Sequence, residues 1–235
     1  MTIEMKSKVL GVIPARAGSK GLKRKSLLPL GGLSLIARAT KEAKKSKYLD
    51  RVIFSSDDVE MMNEAEINGG EVLFSRPQRL ADDYTSSWAV VLHAVDWLEK
   101  NEKWVPDYIC LLQPTTPFRT SQHIDEAFAK MLNEKKTSCI SAKEVDYPPH
   151  WMFTMDEDNK PSRFFPNGKN IKRRQDAPLA LQPNGLIYII KRNLLSADLS
   201  LPLNSTAIMK MDPEISINID TAIQYGYAKF IFENL

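Results

Sequence analysis

Only two of the 235 residues are cysteine. That is too few for a disulfide framework, and Cys110 and Cys139 form neither a C-x-x-C redox pair nor a zinc pattern. Each sits in an apolar run, YICLL and SCISA, so both are expected to be reduced core thiols. No run of about 18 apolar residues occurs, which argues against a membrane span. The first apolar run is short and broken by Gly11 and Pro14, with no small-residue cleavage site. A secretory leader is therefore not expected, and the cytoplasm is the expected compartment. Nor does one sign of charge dominate. The balance of 32 basic and 29 acidic residues, a net charge of +3, is too even for wholesale binding to nucleic acid or an anionic membrane. Internal repeats and low-complexity tracts are also missing. With 43% apolar and 26% charged residues, the composition is that of an ordinary globular chain, long enough to bury its own core.

Short apolar runs alternate with helical periodicity. Residues 8–14, 51–56, 71–75, 107–113, 137–142, 185–190 and 214–219 read as strands. Helices are expected over 33–46, after an N-cap at Asp57, after Ser86 or Ser87, over 121–134, and from about Asp220 to the end. Near-continuous apolar strands alternating with helices define an α/β fold, a mostly parallel sheet covered on both faces. Ligands of such sheets bind at the carboxyl ends of the strands. The pattern breaks over 144–183, a proline- and charge-rich stretch that also carries Trp151, Phe153, Phe164 and Phe165. Linkers are rarely so aromatic. A single domain over 1–235 with an excursion at 144–183, packed on something such as a second subunit, is the expected organisation. The histidines, His93, His123 and His150, fall in two helix patterns and a proline-rich loop and are expected to be structural.

The segment after the first strand, VIPARAGSKGLKRKS, places Arg16, Lys20, Lys23, Arg24 and Lys25 among Gly18, Ser19 and Gly21. Glycines let backbone amides approach a ligand, and clustered cations neutralise phosphate. A solvated basic loop or an RNA contact is the plainer alternative. The spacing is that of neither a P-loop nor a dinucleotide-binding fingerprint.

This segment, IPAR-x-GSKG-x-x-x-K, resembles the signature of the N-acylneuraminate cytidylyltransferase (CMP-sialic acid synthetase) family, which includes bacterial CMP-legionaminate-type synthetases. SRPQRLADDYTSS (75–87), LLQPTTPFR (111–119), RRQDAPLALQPNGLIYI (173–189) and INIDT (217–221) resemble further blocks of that family, in its order and over nearly the whole chain. The resemblance implies a nucleotidyltransferase-type, Rossmann-like fold and transfer of CMP from CTP to the anomeric hydroxyl of a nonulosonic acid, with release of pyrophosphate. It implies Lys25 and Arg16 as catalytic residues, and Arg16, Ser19, Lys20, Lys25, Ser26, Arg76 and Ser86 around the nucleotide. It places Gln113, Arg174, Asn184 and Tyr188 on the sugar acid. It also implies Mg²⁺ or Mn²⁺ held by Asp220 and Asn218, and a homodimer whose excursion reaches an active site, with no nucleic acid or membrane partner. From local sequence alone, Asp220 reads as a helix N-cap and Tyr188 as a core residue.

The chain departs from the family pattern at Ser26 and Asn218, where the family has Asn and Asp, and at Gln182 and about Trp151, where Arg and Lys are frequent. Fewer cations near the sugar keep legionaminic acid open as the acceptor. The alternatives are 3-deoxy-manno-octulosonate, whose enzymes have a different basic loop, and a noncatalytic nucleotide- or RNA-binding role.

Overall fold

The computed structural model describes residues 7–18, 21–166 and 170–234. The chain begins with strand β1 (Val9–Pro14), a short ribbon of β2 (Pro29–Leu30) and β3 (Leu33–Ser34), then helix α1 (Leu35–Lys45), β4 (Arg51–Ser55) and α2 (Val59–Ile67). Next come α3 (Ser87–Glu102), β5 (Tyr108–Leu111), α4 (Ser121–Asn133) and β6 (Ser138–Glu144). A second ribbon, β7 (Phe153–Met155) and β8 (Pro161–Arg163), precedes β9 (Leu181–Lys191), β10 (Thr206–Lys210) and α5 (Ala222–Asn234).

Six strands form one sheet in the order β10-β6-β9-β5-β1-β4. All run parallel except β9, which is antiparallel to both β5 and β6. Alternation along β1 explains the layering. Val9 and Ile13 face a core shared with α1, α2 and α4, whereas Leu10 and Val12 face α3. Burial on both faces demands continuous apolar strands, as the sequence shows. Each of the first four helices starts at a side-chain oxygen that satisfies an orphan amide. Ser34, Asp58, Ser86 and Thr120 fill these positions. The cap of α2 is thus Asp58, one residue beyond the expected Asp57. Cys110 and Cys139 are buried and unbonded to each other, and burial raises both thiol pKa values. Among the described residues, no helix is long and apolar enough to cross a membrane.

Two expected strands are corrected. In EVLFS (71–75) only Glu71 makes an isolated bridge, to Ile53. EISINI (214–219) joins no sheet, although the Ile219 amide donates to the Thr115 carbonyl at 2.8 Å, and the sixth strand is instead Thr206–Lys210 at the sheet edge. Residues 215–219 still behave like half a strand. Ile217 and Ile219 enter a small core with Leu30, Leu35 and Ala228, so Asn218 and Asp220, one residue out of phase, face the other way. The excursion carries the β7–β8 ribbon. Phe153, Met155, Phe164 and Phe165 are exposed on it, and the Trp151 indole donates to the Ile171 carbonyl.

Candidate active site

A cavity of about 560 Å³ opens where β1 and β5 end. It falls within the range of roughly 300–1,000 Å³ typical of small-molecule sites. Of the residues expected from sequence, Arg16, Lys25, Ser26, Arg76, Gln113, Asn218 and Asp220 line it. Asp82, Asp83, Thr85 and Ser87 of the 75–87 block join them. Ser19 and Lys20 lie outside the described residues.

Backbone contacts bring these side chains together. Gly21 lies so close to the segment before α5 that a Cβ there would sit 2.1 Å from the Asp220 carbonyl oxygen, so only glycine lets the basic loop reach Asp220. Lys25 then meets the Asp220 carboxylate at 2.5 Å. Displacing a reacting group by about 1 Å can cost about 10²-fold in rate. Because the clash is with backbone, Gly21→Ala must displace the loop or the segment before α5, and we expect it to lower kcat by roughly 10- to 100-fold and to lower the melting temperature as well. Comparison of steady-state kinetics with a thermal melt checks this.

Asp220 does not cap α5. Thr221 Oγ1 accepts from the Gln224 amide, and Gln224 Oε1 accepts from the amides of Asp220 and Thr221. The carboxylate is left to face the cavity. Beside it, Asn218 Oδ1 is buried and has no hydrogen-bond partner among the described residues. A carboxylate next to an orphaned amide oxygen suits a hard divalent cation, which takes one or two carboxylates plus substrate phosphates. Among the described residues no cluster of three or more His, Cys, Asp or Glu exists, so such a site would depend on phosphate oxygens to complete it.

Arg16 forms an ion pair with Asp83 at 2.7 Å and donates to the Asp82 carbonyl. Asp82 accepts from Thr85 Oγ1 and from the amides of Thr85 and Tyr84, which hold its carboxyl below the ordinary range. Arg76 is buried under the cavity floor and donates to Ser55 Oγ and to the carbonyls of Ser55 and Ala15. Burial lowers its pKa to about 10, so it remains charged at neutral pH.

Next to Gln113, outside the cavity lining, lies a bulge in β9. The β6–β9 register shifts between Ile140 and Ala142. Asn184 staples this irregularity: Oδ1 accepts from Ser141 Oγ at 2.6 Å and Nδ2 donates to Ser216 Oγ at 2.9 Å. Gly185 follows with φ +79, and a Cβ there would lie 3.2 Å from Gln113 Oε1. The glycine is thus required twice, for its backbone angle and for the approach of Gln113. Arg119, which the sequence reading quoted in a motif without assigning a role, is 2% exposed. It donates to the carbonyls of Gln113 and Leu186 and to Thr116 Oγ1, tying the 113–116 turn to the bulge.

Four expected ligands are placed elsewhere. Asn184 spends both ends of its amide on Ser141 and Ser216. Ser86 Oγ caps α3 and donates to the Ala197 carbonyl at 2.6 Å, so it is the adjacent Ser87 that lines the cavity. Tyr188 packs edge-to-face on Trp88 with centroids 6.1 Å apart, as the core reading has it, and burial raises its pKa. Arg174 is exposed on the excursion, 3.9 Å from Glu144, and does not reach this chain's cavity. The histidines are structural as expected. His93 packs on Phe74, His123 completes the α4 cap and His150 stacks by Phe165.

In an open α/β sheet, a cation-bearing cavity at the carboxyl ends of the strands is placed to take an anionic ligand. Two solved structures share the fold: CMP:2-keto-3-deoxy-manno-octonic acid synthetase complexed with CTP (TM-score 0.69, 18% identity, covering 97% of this chain and 100% of that one) and 4-diphosphocytidyl-2C-methyl-D-erythritol synthase from Anaerococcus prevotii (TM-score 0.65, 12% identity, 97% of each). The chain belongs to the cytidylyltransferase family, whose sequence pattern matches residues 10–229. Curated relatives include a pseudaminic acid cytidylyltransferase of Campylobacter jejuni (30% identical, covering 96% of this chain and 97% of that protein). Similar too are an N-acylneuraminate cytidylyltransferase of Escherichia coli (32%, covering 95% of this chain and 52% of that protein) and a CMP-N,N'-diacetyllegionaminic acid synthase of Campylobacter jejuni (28%, 96% and 95%).

Proposed function

We propose that the protein transfers CMP from CTP to the anomeric hydroxyl of a nonulosonic acid. The hydroxyl oxygen bonds to the α-phosphorus as the bond to pyrophosphate breaks, and the hydroxyl proton is released to solvent. The observation that carries this reading is the juxtaposition of Arg16, Lys25 and Arg76 with the Asp220–Asn218 pair and Gln113 around one cavity. Phosphoryl transfer needs positioning and charge stabilisation more than covalent catalysis. Arg16 offers a planar fork to the triphosphate, and Lys25 offers a compact charge to the transferring phosphate. Gln113, held by the Arg119-braced turn, orients the acceptor. Asp220 and Asn218 would hold a divalent ion, Mg²⁺ or Mn²⁺, which would supply further charge neutralisation to the triphosphate.

The acceptor is best sought among the bacterial nonulosonic acids. Two relatives matched over nearly their whole length are named for pseudaminic and legionaminic acids, and Gln182 is neutral where the family often has arginine. Incubation with CTP, Mg²⁺ and, separately, pseudaminic, legionaminic, N-acetylneuraminic and 3-deoxy-manno-octulosonic acids, followed by pyrophosphate assay, tests this. One of the first two is expected to be turned over fastest. Pyrophosphate release with none of the nine-carbon acids would refute the reading.

A homodimer, in the cytoplasm, completes the proposal. The exposed aromatic cluster on 144–183 is of a kind that marks association surfaces, and Arg174, too far from its own cavity, is free to serve a partner's. Light scattering should give twice the 26.6 kDa chain mass. A fully active monomer at micromolar concentration would exclude this assembly.

A further inference from the structure

Two consecutive acids grip the basic loop at both of its ends. At its start the Ala17 amide donates to Asp57 Oδ1 at 3.1 Å. At its end one guanidinium nitrogen of Arg24 lies 2.9 and 3.0 Å from the two carboxylate oxygens of Asp58 and 2.8 Å from Glu60 Oε2. Arg24 therefore faces α2, and it is not among the residues lining the cavity. Its backbone is left-handed, φ 52 and ψ 34, a conformation disfavoured for residues with a large side chain. Such strain persists only where the surroundings over-determine it. Asp58 is fit to do so, because it is itself fixed as the N-cap of α2. The left-handed residue leads into the single 3₁₀ turn Lys25–Leu27, which sends Ser26 inward and Lys25 to Asp220.

We propose that Arg24 is a positioning residue for Lys25: its ion pairs with Asp58 and Glu60 hold the left-handed turn that aims the Lys25 amine at the transferring phosphate. This rests on the role given to Lys25 above. Arg24 acts through Lys25 alone, and the latch matters because it holds a backbone angle that arginine would otherwise leave.

The test uses the full chain with CTP, Mg²⁺ and whichever of the four acids is turned over fastest. It measures kcat and the KM for CTP of Arg24→Ala, Arg24→Gly, Asp58→Asn, Lys25→Ala and the Arg24→Ala/Lys25→Ala double variant. Arg24→Ala should lower kcat about tenfold, equivalent to about 1.4 kcal/mol, with the KM for CTP nearly unchanged. Arg24→Gly should regain most of that loss, because glycine adopts the left-handed angle without strain. Asp58→Asn keeps an amide oxygen for the α2 cap but removes the charge. It should follow Arg24→Ala, and it stands in for that variant if alanine prevents folding. In the Lys25→Ala background, Arg24→Ala should add nothing, the signature of residues acting as one unit. Wild-type kcat in Arg24→Ala and Asp58→Asn, glycine no better than alanine, or a fully additive double variant would each overturn the proposal. Normal turnover by Lys25→Ala is a separate failure, that of the role given to Lys25.

Discussion

Turnover by the Lys25→Ala variant is expected to fall by at least about 10²-fold while the protein stays folded. The Lys25 side chain is 19% exposed and its amine lies 2.5 Å from Asp220 Oδ1, at the meeting point of the basic loop and the segment before α5. In a partly desolvated cavity a charge fixed in advance stabilises developing negative charge without reorganisation, and its removal commonly costs about 10²–10³ in kcat. The stability cost is of another order. Exposed ion pairs contribute about 0–1 kcal/mol, which in a chain of this size shifts the melting temperature by no more than roughly 2–4 °C. Lys25→Arg keeps the charge but not the compact ammonium and should recover only part of the rate. Turnover of Lys25→Ala close to wild type, measured with CTP and the preferred acid, would remove the amine from the chemistry. CTP should in any case support turnover far better than ATP or GTP.

Asp220→Ala is expected to abolish Mg²⁺-dependent turnover, and Asn218→Asp to leave activity intact while lowering the Mg²⁺ concentration needed. The first expectation follows from the carboxylate's having no capping duty. Thr221 and Gln224 satisfy the amides at the start of α5, so removing Asp220 does not uncap the helix. The second follows from Asn218 Oδ1, unpartnered among the described residues, which already offers one oxygen and would offer two with a full negative charge. Mg²⁺ prefers charged oxygen ligands and retains several waters, so a second carboxylate strengthens binding in the absence of nucleotide. Metal titrations of activity, with and without saturating CTP, separate the two effects. An Asp220→Ala protein with normal turnover and only a lower melting temperature would return that residue to a capping role.

Much of the architecture was legible because the sheet is buried on both faces. β1, β4, β5, β6 and β9 are short apolar runs with turn residues beside them, and the helices between them keep a 3.6-residue period. Where the reading failed, the apolar pattern had another cause. EISINI alternates like a strand because Ile217 and Ile219 fill a core beside α5, although it joins no sheet. Thr206–Lys210, a true edge strand, exposes Ile208 and Lys210 and carries a weaker signal. Around the cavity, residues on loops that follow apolar runs were picked out from local sequence and resemblance: Arg16, Lys25, Arg76, Gln113 and Asp220. Asn184, Arg119 and Arg24 were not assigned their places, since each depends on a carbonyl, hydroxyl or carboxylate far away in sequence. A buried arginine whose partners are two carbonyls and a hydroxyl leaves no charged signature to find.

The cavity's described lining holds three cations, Arg16, Lys25 and Arg76, and three carboxylates, Asp82, Asp83 and Asp220. Two of the cations are already paired, Arg16 with Asp83 and Lys25 with Asp220, so on the proposed reading an arriving triphosphate would find neither of these bare. It would have to take Arg16 from Asp83 and Lys25 from Asp220, and its affinity would then be a difference between two sets of ion pairs. Binding becomes an exchange of one anion for another, and the same carboxylates stand ready to reclaim their cations once the nucleotide is cleaved. Pyrophosphate leaves against competitors already built into the walls, and the pairing that opposes entry of the nucleotide helps to clear the site for the next turnover.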